Sequence, residues 1–433
     1  MLEKAIHFPK GFLWGAATAA HQVEGGNRNN DWWEWEQHPG ATVDGSRSGA
    51  AAEWWTGRAE EDLRRAAAMG HNAHRLSVEW SRLEPSPGIF DEAAFARYGQ
   101  ILGTLRNLGM SSSVTLYHFT LPRWAARMGG WTWHELPDRL ARFAGECVTR
   151  LGDLVDWWAT INEPMILVYG SYLGTRWPPG AGSLAAGYRA AANLLRAHHA
   201  AYLVIKSRQP NAPVGIVTNM HAIEPSAPGT LDRIAAGMQA WIMKGMTLGA
   251  LERGTLGPPL SWRAERLPAG AGAVDWYGMN YYGRHLVRFD PSKADMLFGR
   301  HVHAGIASEE GDWGEVYPKG LTSGLRQLAR YGKPVFVTEN GIFDNDDTLR
   351  PAYLLRHIRA THDAIQAGAD VRGYFYWSLV DNFEWAEGWS TRFGLIEIDP
   401  VTQQRRPRHS AQVYEKVIRA NGVMPELWQR EVG

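Results

Sequence analysis

The stretch Phe90–Phe119, "FDEAAFARYGQILGTLRNLGMSSSVTLYHF", decides the fold. Its first part carries Phe95, Tyr98, Ile101, Leu102, Leu105 and Leu108 at helical spacing, the stripe of an amphipathic helix with one core-facing side. Asp91 stands where a helix cap belongs and Gly109 where a helix ends. The residues that follow, "MSSSVTLYHF", read as a strand. The same order of helix, glycine and strand precedes "HNAHRLSVEW", where Gly70 closes "EEDLRRAAAMG". A repeated helix-then-strand unit predicts a parallel sheet, because the intervening helix carries the chain back to the start of the next strand.

Followed along the chain, the pattern gives strands at Phe12–Thr18, Asn72–Ser77, Ser112–Leu116, Trp157–Ile161, Val214–Thr218, Val274–Met279, Pro334–Thr338 and Val371–Trp377. Eight such strands separated by helices suit an α/β fold, a single (β/α)8 TIM barrel with elaborated βα loops over residues 1–433. A doubly wound open sheet satisfies the same periodicity. No solenoid repeat, low-complexity tract or long Pro/Gly/Ser linker divides the chain.

Lys plus Arg (45) equals Asp plus Glu (45), and no basic run offers a footprint for nucleic acid or anionic lipid. The expected partner is a small molecule; no feature sets an oligomeric state. The N-terminal "MLEKAIHFPKGFLWGAATAA" has the charge-then-apolar order of a signal peptide, but Pro9, Lys10 and Gly11 interrupt it. No apolar run reaches the roughly 20 residues of a spanning helix. The single cysteine, Cys147, excludes an internal disulfide and reads as a buried helix position, so a cytoplasmic location is expected. The chain also holds 21 Trp and 15 Tyr, whose flat faces and polar edges suit both a large core and sugar rings.

On the barrel reading, chemistry belongs just past the C-terminal ends of the strands. Those ends supply Gln22 and Glu24, Arg75, His118, Asn162 with Glu163, Asn280 with Tyr281, Glu339 with Asn340, and Trp377 followed by "SLVDNFEWAEGW". Carboxylates, amides and aromatics without a phosphate loop or cofactor fingerprint fit recognition of a neutral polyol. Glu163 and Glu339 each follow a β-branched apolar run and each adjoin an asparagine. A lone glutamate after a strand is usually a helix cap or a loop ion pair. A pair of them inside this constellation instead suggests glycoside hydrolysis, which needs one carboxylic acid and one carboxylate. Neither His71 with His74 nor His198 with His199 has a third ligand at a convincing spacing, so no metal and no cofactor are expected.

Seven motifs in order then carry a resemblance over essentially the whole chain: "FLWGAATAAHQVEG", "HRLSVEWSRLEP", "LYHFTLPRW", "TINEP", "MNYY", "FVTENG" and "YFYWSLVDNFEWAEGWSTRFGLI". The chain resembles glycoside hydrolase family 1, the β-glucosidase and β-galactosidase family. The resemblance implies Glu163 of "TINEP" as acid/base and Glu339 of "TENG" as nucleophile of a retaining double displacement. It implies Arg75, Asn280 and Tyr281 as catalytic support, with Arg75 and Tyr281 flanking the nucleophile. Gln22, His118, Asn162, Trp377, Glu384 and Trp385 would hold the non-reducing sugar. The implied substrates are β-glucosides, with tolerance for β-galactosides or β-fucosides, and short oligosaccharides such as those from cellulose degradation.

Three positions depart from the family pattern. His21 and Phe119 stand where other aromatics are commoner, and in "GDWGEVYPKG" Gly314 takes the place of a Trp that here comes one residue earlier, at Trp313. Glu384, Trp385, Thr391 and Phe393 replace the phosphate grip of the phospho-sugar branch, and a carboxylate facing a phosphate is repulsive. The thioglucosidase branch lacks an acid/base carboxylate, which Glu163 supplies here. The competing readings are a catalytically silent glycan-binding barrel and an enzyme that chiefly transfers glycosyl groups.

Overall fold

Each of the eight segments read as a strand pairs with two neighbours. The structure is a computed structural model and describes residues 2–293, 296–305 and 313–433. The strands are β1 (Leu13–Ala17), β2 (Ala73–Ser77), β3 (Ser111–Tyr117), β4 (Trp157–Asn162), β5 (Val214–Asn219), β6 (Trp276–Tyr281), β7 (Val335–Asn340) and β8 (Val371–Trp377). All neighbours run parallel and follow chain order, and β8 returns onto β1 with Tyr374 opposite Trp14. That last pairing closes the barrel and removes the open-sheet alternative. The registers slip between Met279 and Asn280, Ala159 and Asn162, and Val337 and Asn340. These irregularities sit at the C-terminal ends of β4, β6 and β7, where a bulge re-aims a side chain.

The helix that opened the reading spans Glu92–Asn107. Asp91 accepts from the N–H groups of Ala93 and Ala94 at 2.9 and 3.0 Å, and Phe95, Tyr98, Ile101, Leu102 and Leu105 are buried. Leu108 caps the helix half-buried, and Gly109 turns the chain with φ 69°. Cys147 is buried in helix Leu136–Leu151. His198 bridges Thr160 Oγ1 and the Ala273 carbonyl, each at 2.7 Å, and burial pushes its pKa down to about 3. It is a neutral core histidine. Among the described residues no group of His, Cys, Asp or Glu is placed to hold a metal ion, and no helix is long and apolar enough to cross a membrane.

Inside the barrel, Ala17, Ala73 and Ala159 leave room for Trp276, Phe336 and Phe375, so small and large side chains interdigitate. Between β5 and β6 the chain adds Ala222–Pro225, which pairs parallel with Arg284–Phe289; the other edge of Arg284–Phe289 pairs antiparallel with Gly299–Val302, making a small separate sheet beside the mouth. The sequence reading did not foresee this sheet.

Gly15 lies where a Cβ would stand 2.3 Å from the Ala73 carbonyl oxygen, whereas Gly99, inside helix Glu92–Asn107, has nothing within 4 Å. Gly15→Ala should therefore lower Tm through an overpacking cost of about 1–3 kcal/mol. Gly99→Ala should raise it, by about 0.5–1 kcal/mol. Thermal melts of both variants check the contrast, and equal shifts would contradict the strand packing described.

Candidate active site

Residues from every strand end meet at one side of the barrel. Gln22, His118, Glu163, Asn219, Tyr282, Glu339, Trp377, Glu384 and Trp385 all line a single cavity, with Arg75, Asn162 and Asn280 forming a hydrogen-bonded layer against them. Arg75 is 1% exposed and donates Nη1 to Glu339 Oε1 at 2.5 Å and Nη2 to Asn162 Oδ1 at 2.7 Å. Asn280 Nδ2 donates to the same Asn162 oxygen at 3.2 Å, and Thr338 Oγ1 donates to Asn280 Oδ1 at 2.7 Å. With its oxygen taken twice, Asn162 turns its Nδ2 toward His118 Nε2, 3.3 Å away. The arrangement leaves Asn162 as a fixed donor.

The two glutamates have unlike surroundings. Glu339 accepts from Arg75 and, through Oε2, from the Tyr282 hydroxyl at 2.7 Å. Glu163 accepts from Asn219 Nδ2 at 3.0 Å. Burial pushes the Glu163 pKa up to about 8, and the negative charge of Glu339 adds to that rise, while hydrogen bonds from Asn219 and Asn280 and the charge of Arg75 oppose it. One carboxyl is thus held as an acid beside a carboxylate that is paired with a guanidinium.

Glu163 also stands in the left-handed region, φ 43° and ψ 62°, ahead of helix Pro164–Leu167. A residue before proline is ordinarily pushed toward extended backbone, so the simple expectation that Pro164 would extend it fails here. Phe119 (φ 73°) and Trp385 (φ 51°) share the left-handed region. Such backbone costs of order 1–3 kcal/mol per residue and clusters at functional sites.

At the inner end of the cavity Gln22 Nε2 donates to the Phe383 carbonyl at 3.0 Å and to Glu384 Oε2 at 3.2 Å. Gln22 Oε1 and His118 Nδ1 are buried without a partner among the described residues. Burial first, and the charge of Arg75 second, push the His118 pKa well below its ordinary value, so its imidazole is neutral. Its ring stacks between Trp377 (6.1 Å) and Trp385 (6.2 Å). Burial first, then the charges of Glu339 and Glu387, push Glu384 well above the usual carboxyl range. His21 stacks on Trp385 at 5.8 Å and Phe119 tilts against it at 5.4 Å, so both departures from the family pattern brace one indole. A Cβ on Gly314 would meet the Arg284 backbone at 2.8 Å, which excludes a Trp there; Trp313 lines the cavity.

One expected site residue is not there. The Tyr281 hydroxyl donates to the Tyr317 carbonyl at 2.6 Å and packs on Gly320 of helix Pro318–Ala329, away from Glu339. Alternation along β6 and its continuation explains this: Asn280 and Tyr282 point inward and Tyr281 outward. The tyrosine at Glu339 is Tyr282. Asn219 was missed although it ends β5 and the strand-end rule covers it.

A closed parallel barrel with a pair of unlike buried glutamates at the C-terminal ends of β4 and β7 can be compared with known proteins. The model of Glycosyl hydrolase family 1 matches residues 4–423. The chain belongs to that family. It is 33% identical to Beta-glucosidase A of Thermotoga maritima, over 96% of this chain and 98% of that one. It is 32% identical to a Beta-galactosidase of Pyrococcus woesei, over 97% of this chain and 98% of that one. Among solved structures it is similar to the beta-glycosidase from Pyrococcus horikoshii, with 38% identity, a TM-score of 0.90 and 99% of each chain covered. The beta-glucosidase from Thermotoga maritima in complex with glucoimidazole matches with 31% identity and a TM-score of 0.89, over 96% of this chain and all of that one. The protein is therefore a family 1 glycosyl hydrolase.

In this hydrolase the raised Glu163 pKa links to stability. From about pH 4.5 to about pH 8 the folded chain keeps a proton that the unfolded chain has lost, so the Glu163 contribution is fully present below that window and is lost as pH rises through it. Glu163→Gln removes this term. The Tm of the variant relative to the parent should climb from pH 5 to pH 8, and a difference independent of pH would contradict the raised pKa.

Proposed function

We propose that this hydrolase is a retaining, exo-acting β-glycosidase that removes terminal non-reducing β-D-glucosyl residues, with tolerance for β-galactosyl and β-fucosyl groups. The observation that carries the reading is the pair of unlike carboxyls in one buried cavity, Glu163 on the Asn219 amide and Glu339 on Arg75 and Tyr282. The names of the relatives, a beta-glucosidase and a beta-galactosidase, support both sugars. Buried Gln22, His118, Trp377, Glu384 and Trp385 wall the inner end of the cavity, which suits the end of a sugar chain and not its middle.

In the first step the Glu339 carboxylate attacks C1 of the sugar, the bond from C1 to the glycosidic oxygen breaks, and Glu163 gives its proton to that oxygen. In the second, water attacks C1, Glu163 takes a proton from it, and the ester bond to Glu339 breaks. One side chain serves as acid and then base because esterification abolishes the Glu339 charge, one of the two causes holding the Glu163 pKa up. Burial, the larger cause, persists, so the pKa falls only in part. Asn162, oriented by Arg75 and Asn280, offers its Nδ2 to the sugar 2-hydroxyl, a contact that strengthens as the ring flattens.

The pH profile of kcat/KM on an aryl β-glucoside should be bell-shaped, with an alkaline limb that belongs to Glu163. Glu163→Gln should lower activity and remove that limb; a limb left in place would reassign the acid. Glu339→Gly should lose hydrolysis by a factor of at least about a thousand. With added azide and an activated donor it should form an α-glycosyl azide, because azide then enters from the vacated face. A β-configured product, identified by NMR, would contradict the role of Glu339.

A further inference from the structure

Helix Thr230–Ala240 covers the small sheet, and its inward face carries the small and polar residues. Ala235 and Ala236 pack with Val287, and Ile223 and Phe289 lie against them. Asp232 accepts from the Phe289 N–H at 2.9 Å and from the Ser226 hydroxyl at 2.8 Å. Gln239 donates to the carbonyls of Met296 at 2.8 Å and Gly299 at 3.0 Å. The outward face instead carries Leu231, Ile234, Met238 and Trp241, exposed by 54, 53, 37 and 43%. A surface helix of a globular protein ordinarily shows the reverse order, apolar inward and polar outward. A contiguous apolar face left in water marks an interaction site.

The face is complementary to itself. Thr230, Ile234, Gly237 and Trp241 follow one another at spacings of four, three and four, so they share one line along the helix. An antiparallel second copy that sets its Gly237 opposite Ile234 also sets its Ile234 opposite Gly237, large against small on both sides of a two-fold axis. The same register brings Thr230 opposite Trp241 and groups Leu231 with Met238 on one flank. Arg233, whose described hydrogen bond is to Thr230 Oγ1 at 3.5 Å, then lies within reach of the facing Trp241 indole, which attracts a guanidinium. Gly237 has no use inside the protomer. Glycine weakens a helix relative to alanine, and no other part of the chain comes within 4 Å of where its Cβ would stand. A lipid surface would gain nothing from such a notch and would be drawn by a rim of Lys and Arg, whereas Arg233 is the one cation in 230–241. We propose that this helix face is a two-fold contact between two copies of the chain.

One helix pair is smaller than a standard interface of about 800 Å² per partner, so a dissociation constant of roughly 1–100 μM is expected. Sedimentation equilibrium of the full chain across that range should show monomer and dimer in exchange. Ile234→Asp enters the contact twice and should weaken dimerisation by at least about a hundredfold. Gly237→Leu decides what covers the face, because it adds apolar surface and meets nothing in the lone protomer, yet fills the notch. It should weaken the dimer by about tenfold or more, whereas attachment to lipid or unspecific association would grow stronger. Both positions are exposed, so an unchanged Tm at low concentration and unchanged turnover of an aryl β-glucoside check that the variants fold. A chain that stays monomeric throughout the range, or a dimer that either variant leaves intact, would overturn the proposal. So would association, with itself or with phosphatidylglycerol and phosphatidylcholine vesicles, that Gly237→Leu strengthens.

Discussion

Everything at the catalytic mouth depends on one buried cation. A guanidinium removed from water is tolerated only when its donors are matched, and leaving such a charge unpaired costs roughly 3–5 kcal/mol. Arg75 matches them with Glu339, Asn162, Thr115 Oγ1 (3.2 Å) and the Thr338 carbonyl (3.4 Å). These acceptors lie on β3, β4 and β7 while Arg75 lies on β2, so the interaction ties together strands from separate parts of the chain. The same contacts that satisfy the cation also fix the oxygen of Asn162 and one oxygen of Glu339. Site geometry and barrel closure are therefore one constraint.

That constraint makes two identical side chains differ. Glu339 receives the guanidinium and a phenol hydroxyl; Glu163, one residue beyond Asn162, receives a neutral amide and the repulsion of its neighbour. Burial and the charge of Glu339 push Glu163 toward its neutral form. What separates them is which one the cation touches, and that is decided by the register slip at the end of β7 and the left-handed turn at Glu163. The local backbone cost at Glu163 is offset by the barrel around it, since β4 is buried from Trp158 onward.

The sequence made the barrel legible because strands such as β2 and β3 directly follow a helix that ends on a glycine, and the eight strand positions agree with the structure to within two residues at either end. The catalytic pair was legible for the same reason: strand ends are where the fold puts chemistry. Tyr282 was obscured by its neighbour, because "MNYY" offers two tyrosines and only the direction of the pleat separates them. Asn219 carried a readable signal, a polar residue closing an apolar strand, that was passed over. The Glu163 backbone was not legible at all, since Pro164 argues for an extended conformation and only the tertiary setting enforces the other. The small sheet beside the mouth escaped because Ala222–Pro225 is four residues long and its partner strand begins only at Arg284, 59 residues beyond Pro225 (284 − 225).

The mouth therefore has two parts of different origin. The inner part is made of strand ends, whose positions the closed barrel dictates, and it holds polar groups aimed at fixed points. The outer part is made of inserted segments, whose side chains the barrel does not dictate, and here they include six aliphatic ones, Ile166, Leu173, Ile223, Ile242, Met243 and Leu297. Glu163 lies at the seam: it follows the last residue of β4, and Pro164 directly after it starts the segment that supplies Ile166 and Leu173 to the outer wall. A proton donor at that seam faces the one atom shared by both halves of a glycoside, the oxygen of the bond to be broken. The division also explains how the inserts are free to vary the leaving group accepted without disturbing the Arg75 network, because none of the six aliphatic side chains contributes to it.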